Sequence, residues 1–208
     1  MSRLHAYNTP RFSRYCAAFT LTALLASPAF AHVGLHDAVG LAAGFAHPLS
    51  GLDHVLAMVA VGIWAAQMQG SAKWILPLTF PLMMVVGALP GLMGIALPGI
   101  EMGIAASVVV LGCLVAFAIR LPTALGAALV ALFATLHGYA HGAELPQQAS
   151  AALYAAGFVA ATALLHMAGL SLGQFAHSTM ALRGVRLAGA ASGAAIAACG
   201  VLLTAGAM

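Results

Sequence analysis

Residues 47–69 of the chain read HPLSGLDHVLAMVAVGIWAAQMQ. From Val55 onward this stretch is almost entirely apolar, and about 20 such residues can cross the hydrocarbon core of a bilayer as a helix. Its beginning nevertheless carries His47, Asp53 and His54. An aspartate at mid-bilayer costs roughly 2.5–3.5 kcal/mol on insertion scales. Ionisable groups in a membrane segment therefore indicate a functional role and a partner that they contact.

The overall composition is that of a membrane protein. Of the 208 residues, 63% are hydrophobic and only 5% are charged, and the mean hydropathy is +1.04. A soluble domain carries about 25% charged residues. The 23 glycines are typical of membrane helices that pack closely. We therefore predict an all-α, polytopic membrane helix bundle.

The first 31 residues have the pattern of a secretory signal peptide. Three arginines precede a short apolar run at 15–25, and Ala29-Phe30-Ala31 forms an Ala-x-Ala cleavage site. We predict a signal peptide at 1–31, a periplasmic N-terminal segment at 32–46 that forms a short amphipathic helix, and a six-span transmembrane domain at 47–206. The mature chain then has four basic and four acidic residues. This zero net charge gives no indication of nucleic-acid binding.

Six apolar windows of spanning length follow one another with short polar or Pro/Gly joints. A cleaved signal peptide places the mature N-terminus outside, so the joints that carry Lys73, Arg120, Arg183 and Arg186 all fall inside, as the positive-inside rule requires. We predict a multi-pass protein of the bacterial inner membrane, with both mature termini in the periplasm. The predicted spans are 47–69, 74–96, 99–119, 122–142, 150–172 and 185–206.

The first polar cluster is predicted to lie along one helix. Pro48 suits the first turn of a helix, which favours a continuous helix from residue 47. Seven residues separate His47 from His54, so at about 100° per residue both rings would project in nearly the same direction. Met58 lies one turn further along the same stripe, and Asp53 lies beside it.

The second cluster, HGYAHGAE at 137–144, contains His137, His141 and Glu144. Histidines at i and i+4 can hold one metal ion, and Glu144 shares their stripe if the helix persists that far. Helix direction places this cluster, the first cluster and Glu101 at the outer ends of their spans. Imidazole with carboxylate suits nickel, cobalt, zinc or copper(II), whereas magnesium and calcium prefer oxygen ligands. We therefore predict one outward-facing metal site.

Two further groups of residues are weaker candidates. Cleavage after Ala31 would make His32 the first residue, and its α-amine and imidazole, with His36 one turn on, could capture an ion. Met58 and His166 lie deeper in the predicted spans and are candidates for an inner path. A lone histidine such as His166 in an apolar span is otherwise a hydrogen-bonded packing residue.

The string His-Pro-x-x-Gly-x-Asp-His-x-x-x-Met at 47–58, with His-Gly-x-Ala-His-Gly-x-Glu at 137–144, resembles the signatures of the HupE/UreJ family of nickel permeases, encoded with hydrogenase or urease accessory genes. The His-x5-Asp-His spacing is also similar to, though one residue longer than, the signature of a larger nickel/cobalt transporter family. The resemblance implies secondary uptake of Ni²⁺ or Co²⁺ for metalloenzyme assembly. It also implies that Glu101 and Phe80 belong with the transport residues.

The predicted function is therefore a permease rather than an enzyme, with the metal ion as cargo and no prosthetic group. Its partners would be the divalent ion and the lipid bilayer, and the sequence leaves open whether the protein forms a homo-oligomer. Three alternatives remain at this point: an intramembrane metalloenzyme with a His/carboxylate centre, a broad divalent-cation transporter, and a channel for a neutral solute such as urea. The metalloenzyme would need an open coordination position and a substrate cavity.

Overall fold

The structure is a computed structural model that describes residues 36–144 and 150–206, with side chains described for 40–144 and 150–205. These residues form seven helices and contain no strand, which confirms the predicted all-α membrane bundle. The predicted signal peptide lies outside the described residues. The helices are α1 (His36–Ser50), α2 (Leu52–Met68), α3 (Ala72–Leu92), α4 (Ile100–Ala116), α5 (Thr123–Ala143), α6 (Ala151–Thr179) and α7 (Leu182–Gly206).

The largest difference from the sequence prediction is a break at Gly51. The chain bends by 80° between Gly40–Ser50 and Leu52–Met68, so the continuous helix predicted from residue 47 is wrong. Pro48 lies near the end of α1 rather than in the first turn of a helix. Gly51 precedes α2 with φ −92° and ψ 118°, an extended conformation. The stripe predicted for His47, His54 and Met58 therefore does not exist, because His47 belongs to a different helix from the other two.

The boundary predicted at residue 47 falls inside α1. The described part of α1 packs closely on α6 rather than forming a separate segment: a Cβ added at Gly44 would lie 2.0 Å from the carbonyl oxygen of Tyr154, and one at Gly157 would lie 2.1 Å from that of Leu41. Residues 40–50 thus belong to the bundle.

The helices are those of a multi-pass membrane protein. Four of the described helices, α3, α5, α6 and α7, are long and apolar enough to cross a bilayer, or five spans result if the bent pair α1–α2 counts as one. The remaining apolar helix, α4, has 17 residues, so the predicted count of six is not confirmed. Large apolar side chains point outward along the bundle, as lipid contact requires; they include Leu82, Leu132, Leu164 and Leu202.

Glycines allow pairs of helices to pack so closely that their backbones are in contact. On α3 and α5 they alternate: a Cβ at Gly138 would lie 2.0 Å from the carbonyl oxygen of Met84, and one at Gly87 would lie 2.2 Å from that of Thr135. Gly193 of α7 packs in the same way on Gly112 and Ala116 of α4. Small residues at helix contacts are how membrane helices obtain close van der Waals packing.

The two ends of the bundle differ in charge. Asp53 lies in the first turn of α2, and at the opposite end of this helix Trp64 donates a hydrogen bond from Nε1 to the carbonyl of Ile119 (2.8 Å). A cavity beside this second end is lined by Arg120, His177 and Arg186. Lys73 lies in the first turn of α3, after the short connection that follows α2. Lys73, Arg120 and Arg186 thus lie at the end opposite to Asp53.

Candidate functional site

Three helix ends and the start of α4 surround a cavity of about 200 Å³, here called the histidine cavity. Its polar lining comes from α1, from the Gly51 break, from the first turns of α2 and α4, and from the end of α5. Residues that the sequence places in two separate motifs thus line one space. The lining residues are His47, Ser50, Gly51, Asp53, His54, Glu101, Ile104, Ala140, His141 and Glu144.

Within the histidine cavity, three side chains offer ligand atoms to one point. Donor atoms of His47, His141 and Glu144 all lie within 4.8 Å of one another. Nε2 of His47 is 3.7 Å from Oε2 of Glu144. Glu144 caps the end of α5 rather than continuing its stripe, and it is the bend at Gly51 that brings His47 to it. Ligands about 2.0–2.2 Å from a shared ion lie up to about 4.3 Å apart, so a small closure would let the three hold one ion.

His54 connects this group to Asp53. Nε2 of His54 lies 2.5 Å from Nε2 of His141. On its other side, Nδ1 lies 2.9 Å from Oδ1 of Asp53, which also accepts a hydrogen bond from the backbone N–H of His54 (2.9 Å). A carboxylate on one ring nitrogen fixes the tautomer of a metal-binding histidine and orients the ring. Asp53 therefore orients the ring of His54, and it also lines the histidine cavity, so the prediction that it binds the ion itself stays a prediction.

His137 lies one turn before His141 on α5 and is fully buried. Its Nδ1 is 2.9 Å from the carbonyl oxygen of Phe133, a contact in which the ring donates. Its Nε2 has no hydrogen-bond partner among the described residues. The ring stands 4.9 Å from that of His54 between centroids. His137 thus presents a free lone pair beneath the histidine cavity.

The remaining candidate residues do not all lie together in the structure. The ring of Phe80 lies 5.5 Å from that of His137 and 5.2 Å from that of His166 between centroids, so these three are neighbours. Met58 is fully buried within the apolar core. Glu101 is exposed at the rim of the histidine cavity.

The predicted capture site at the mature N-terminus is not described by the structure. His32 lies outside the described residues, and α1 begins at His36, whose side chain is also outside them. The role of His32 and His36 in capturing an ion stays a prediction.

Known proteins resemble this chain along most of its length. The family model described as "HupE / UreJ protein" matches residues 20–203. The chain belongs to the HupE/UreJ family. It is 50% identical over 161 residues to Protein HupE of Rhizobium leguminosarum bv. viciae, a match that covers 76% of this chain and 84% of that relative. No solved structure matches the chain. The family resemblance inferred from the two motifs is thereby confirmed.

Two aromatic residues of this HupE/UreJ chain were not predicted at the site. The ring of Phe158 on α6 packs against that of His141 at a tilt of 55°, with 4.3 Å between ring centroids, and the ring of Tyr154, one turn earlier, lies 5.9 Å from that of His47. Both are buried and form the apolar wall behind the imidazoles. Sequence analysis missed them because an aromatic pair at i and i+4 in an apolar helix has the pattern of ordinary core packing.

Proposed function

We propose that this HupE/UreJ protein is a secondary permease that carries Ni²⁺, or Co²⁺, from the periplasm to the cytoplasm. The observation that carries the proposal is the convergence of His47, His141 and Glu144 donors within 4.8 Å at one end of a membrane helix bundle. Ionisable groups at such a place mark ion pathways. On family resemblance, the delivered metal supports the maturation of a hydrogenase or a urease.

The donor set supports the proposed class of ion. The four imidazoles of His47, His54, His137 and His141 and the carboxylate of Glu144 surround or adjoin one space. Such nitrogen-rich sites suit first-row divalent metals, and a site for magnesium or calcium would be built from oxygens. The bonds that imidazole and carboxylate side chains form with such a metal can break and form again. This suits an ion that is passed on rather than retained.

The direction of transport rests on the charge asymmetry of the bundle. Arg120, His177 and Arg186 line the cavity at the end opposite to the histidine cavity. Basic residues accumulate on the cytoplasmic side of membrane proteins. The histidine cavity would then open to the periplasm and receive the ion there.

Uptake of radioactive Ni²⁺ by cells that express the full chain tests the proposal. We expect accumulation above that of cells without the gene, competition by Co²⁺, and loss of accumulation in His141→Ala and Glu144→Gln. His177→Ala is the matched control, because His177 is an exposed histidine at the other end of the bundle.

Three outcomes would count against the proposal in different ways. Unchanged accumulation in His141→Ala would remove the histidine cavity from transport. Equal competition by Zn²⁺ and Mn²⁺ would favour a broad divalent-cation transporter. Absence of accumulation, combined with Ni²⁺ binding by the purified protein, would favour a metal centre that is not a permeation site.

A further inference from the structure

A second set of polar groups lies deeper in the bundle than the histidine cavity. His166 is fully buried on α6 together with Thr162, one turn earlier. The ring of His166 interacts with the backbone of Thr162, but neither ring nitrogen reaches hydrogen-bond geometry with the described residues, and the Thr162 hydroxyl has no partner among them. Buried polar groups in proteins are normally hydrogen-bonded, and a bilayer core supplies no water to satisfy them. These donors therefore indicate a ligand that binds there.

The depth of His166 can be read from its neighbour on α2. A Cβ added at Gly62 would lie 2.3 Å from the carbonyl oxygen of His166. Gly62 follows His54 by eight residues, which is about 12 Å along a helix. His166 is thus level with the middle of α2, well below the histidine cavity, where a polar group without a partner is most costly.

Phe80 is a neighbour both of this deeper pair and of the histidines nearer the cavity. Its ring contacts those of His137 and His166, at 5.5 Å and 5.2 Å between centroids, and it is fully buried. His137 in turn contacts His54 of the histidine cavity. A series of ring contacts therefore runs from the cavity to His166, and only one member of the series, Phe80, cannot bind an ion through a lone pair.

We infer that His166, with Thr162, forms a second binding station for the transported divalent cation, reached from His137 when the Phe80 ring turns aside. The inference rests on the proposed function. The station offers one imidazole and one hydroxyl, fewer donors than the histidine cavity, so it binds the ion more weakly. Conduction requires sites that an ion can both enter and leave, and a weak inner station below a stronger outer site meets that requirement.

The test compares His166→Phe with His166→Cys in Ni²⁺ uptake by cells. Phenylalanine fills the space of the imidazole without a lone pair, whereas cysteine restores a soft donor. For His166→Phe we expect the maximal uptake rate to fall by about tenfold or more while the half-saturating Ni²⁺ concentration stays within about twofold, the pattern of a lost later step rather than of lost binding. His166→Cys should keep a higher rate than His166→Phe and be inhibited more strongly by Cd²⁺ than the wild type, because thiolate selects softer ions.

A structural role of His166 predicts something different. Loss of packing would lower the amount of protein in the membrane and would not change the order of competing metals, so membrane content is measured for each variant and His177→Ala on the same helix is the matched control. Uptake by His166→Phe at the wild-type rate overturns the inference, as does a His166→Cys competition order equal to that of the wild type. If wild-type cells accumulate no Ni²⁺ or Co²⁺, it is the proposed function that fails.

Discussion

Nε2 of His141 lies 2.5 Å from Nε2 of His54, although 87 residues separate the two in the chain. At this distance the two nitrogens form a hydrogen bond, in which one nitrogen carries the proton and donates and the other accepts the bond. Asp53 holds Nδ1 of His54 as the protonated nitrogen, so Nε2 of His54 is the acceptor and His141 is the donor. A divalent ion that binds between the two rings would take the place of this proton and would be held by the Nε2 lone pairs of both histidines. The carboxylate of Asp53 thus sets which lone pair is available to the ion.

The first prediction concerns Asp53→Asn. Asparagine keeps an oxygen that can accept the hydrogen bonds from the backbone N–H and from Nδ1 of His54, but it lacks the negative charge that raises the basicity of the Nε2 lone pair facing the cavity. Loss of such an orienting carboxylate typically costs 10–100-fold in metal affinity, and we expect about this loss for Ni²⁺. Equilibrium dialysis of the purified protein measures it, with Asp53→Glu as the variant that keeps the carboxylate. An Asp53→Asn protein that binds Ni²⁺ like the wild type would show that the negative charge of Asp53 does not contribute to binding.

The second prediction uses the break between α1 and α2. A Cβ added at Gly51 would lie 2.8 Å from both Oδ1 of Asp53 and Nδ1 of His54, the two atoms of their contact. The backbone of Gly51 has φ −92°, which alanine adopts readily. Gly51→Ala should therefore fold normally and displace the Asp53–His54 pair.

The expected result for Gly51→Ala is a raised half-saturating Ni²⁺ concentration with unchanged protein content in the membrane. Gly40→Ala is the control, because a Cβ there meets neighbours only at 3.5 Å or more. Unaltered half-saturation in Gly51→Ala would mean that the Asp53–His54 contact tolerates displacement and does not limit binding.

The sequence allowed the membrane bundle and the convergence of the two motifs to be predicted, because alternating helix directions place His54 and His141 at the same end. It did not reveal the bend at Gly51. A glycine inside an apolar run is tolerated in helices, and Pro48 is compatible with a helix start as well as with the last turn of another helix. His47 nevertheless lies beside His141, with 4.8 Å between ring centroids, because the bend turns the end of α1 towards the end of α5.

The contacts among the residues below the histidine cavity could not be predicted for a different reason. His166, Phe80 and Thr162 come together through the sideways packing of α3, α5 and α6, which helix periodicity does not determine. The same limitation hid Phe158 and Tyr154. The glycines that control this packing, Gly138 and Gly142, are visible in the sequence, but the sequence does not show that they contact the backbone of α3.

The third prediction tests these glycine contacts. A Cβ at Gly138 would overlap the carbonyl oxygen of Met84, so Gly138→Ala must push α3 and α5 apart. Overpacking of this kind costs about 1–3 kcal/mol. We expect a lower thermal midpoint in detergent, and with it reduced Ni²⁺ binding, since His137 and His141 are carried by α5. Gly40→Ala should be neutral or gain up to about 1 kcal/mol from helix propensity. Equal stability of the two variants would show that α3 and α5 are not in backbone contact.

The last prediction concerns metal addition and removal. An ion that binds only the folded protein stabilises it by about 2.7 kcal/mol at a concentration of 100 times its dissociation constant. Ni²⁺ should therefore raise the thermal midpoint followed through tryptophan fluorescence, to which the fully buried Trp64 contributes, and a chelator should reverse the effect. Mg²⁺ should give no such rise, because it prefers oxygen ligands and keeps its waters. His141→Ala should abolish the response to Ni²⁺, since it removes one of the three donors that lie within 4.8 Å. A response of the same size in His141→Ala would place the stabilising ion elsewhere on the protein.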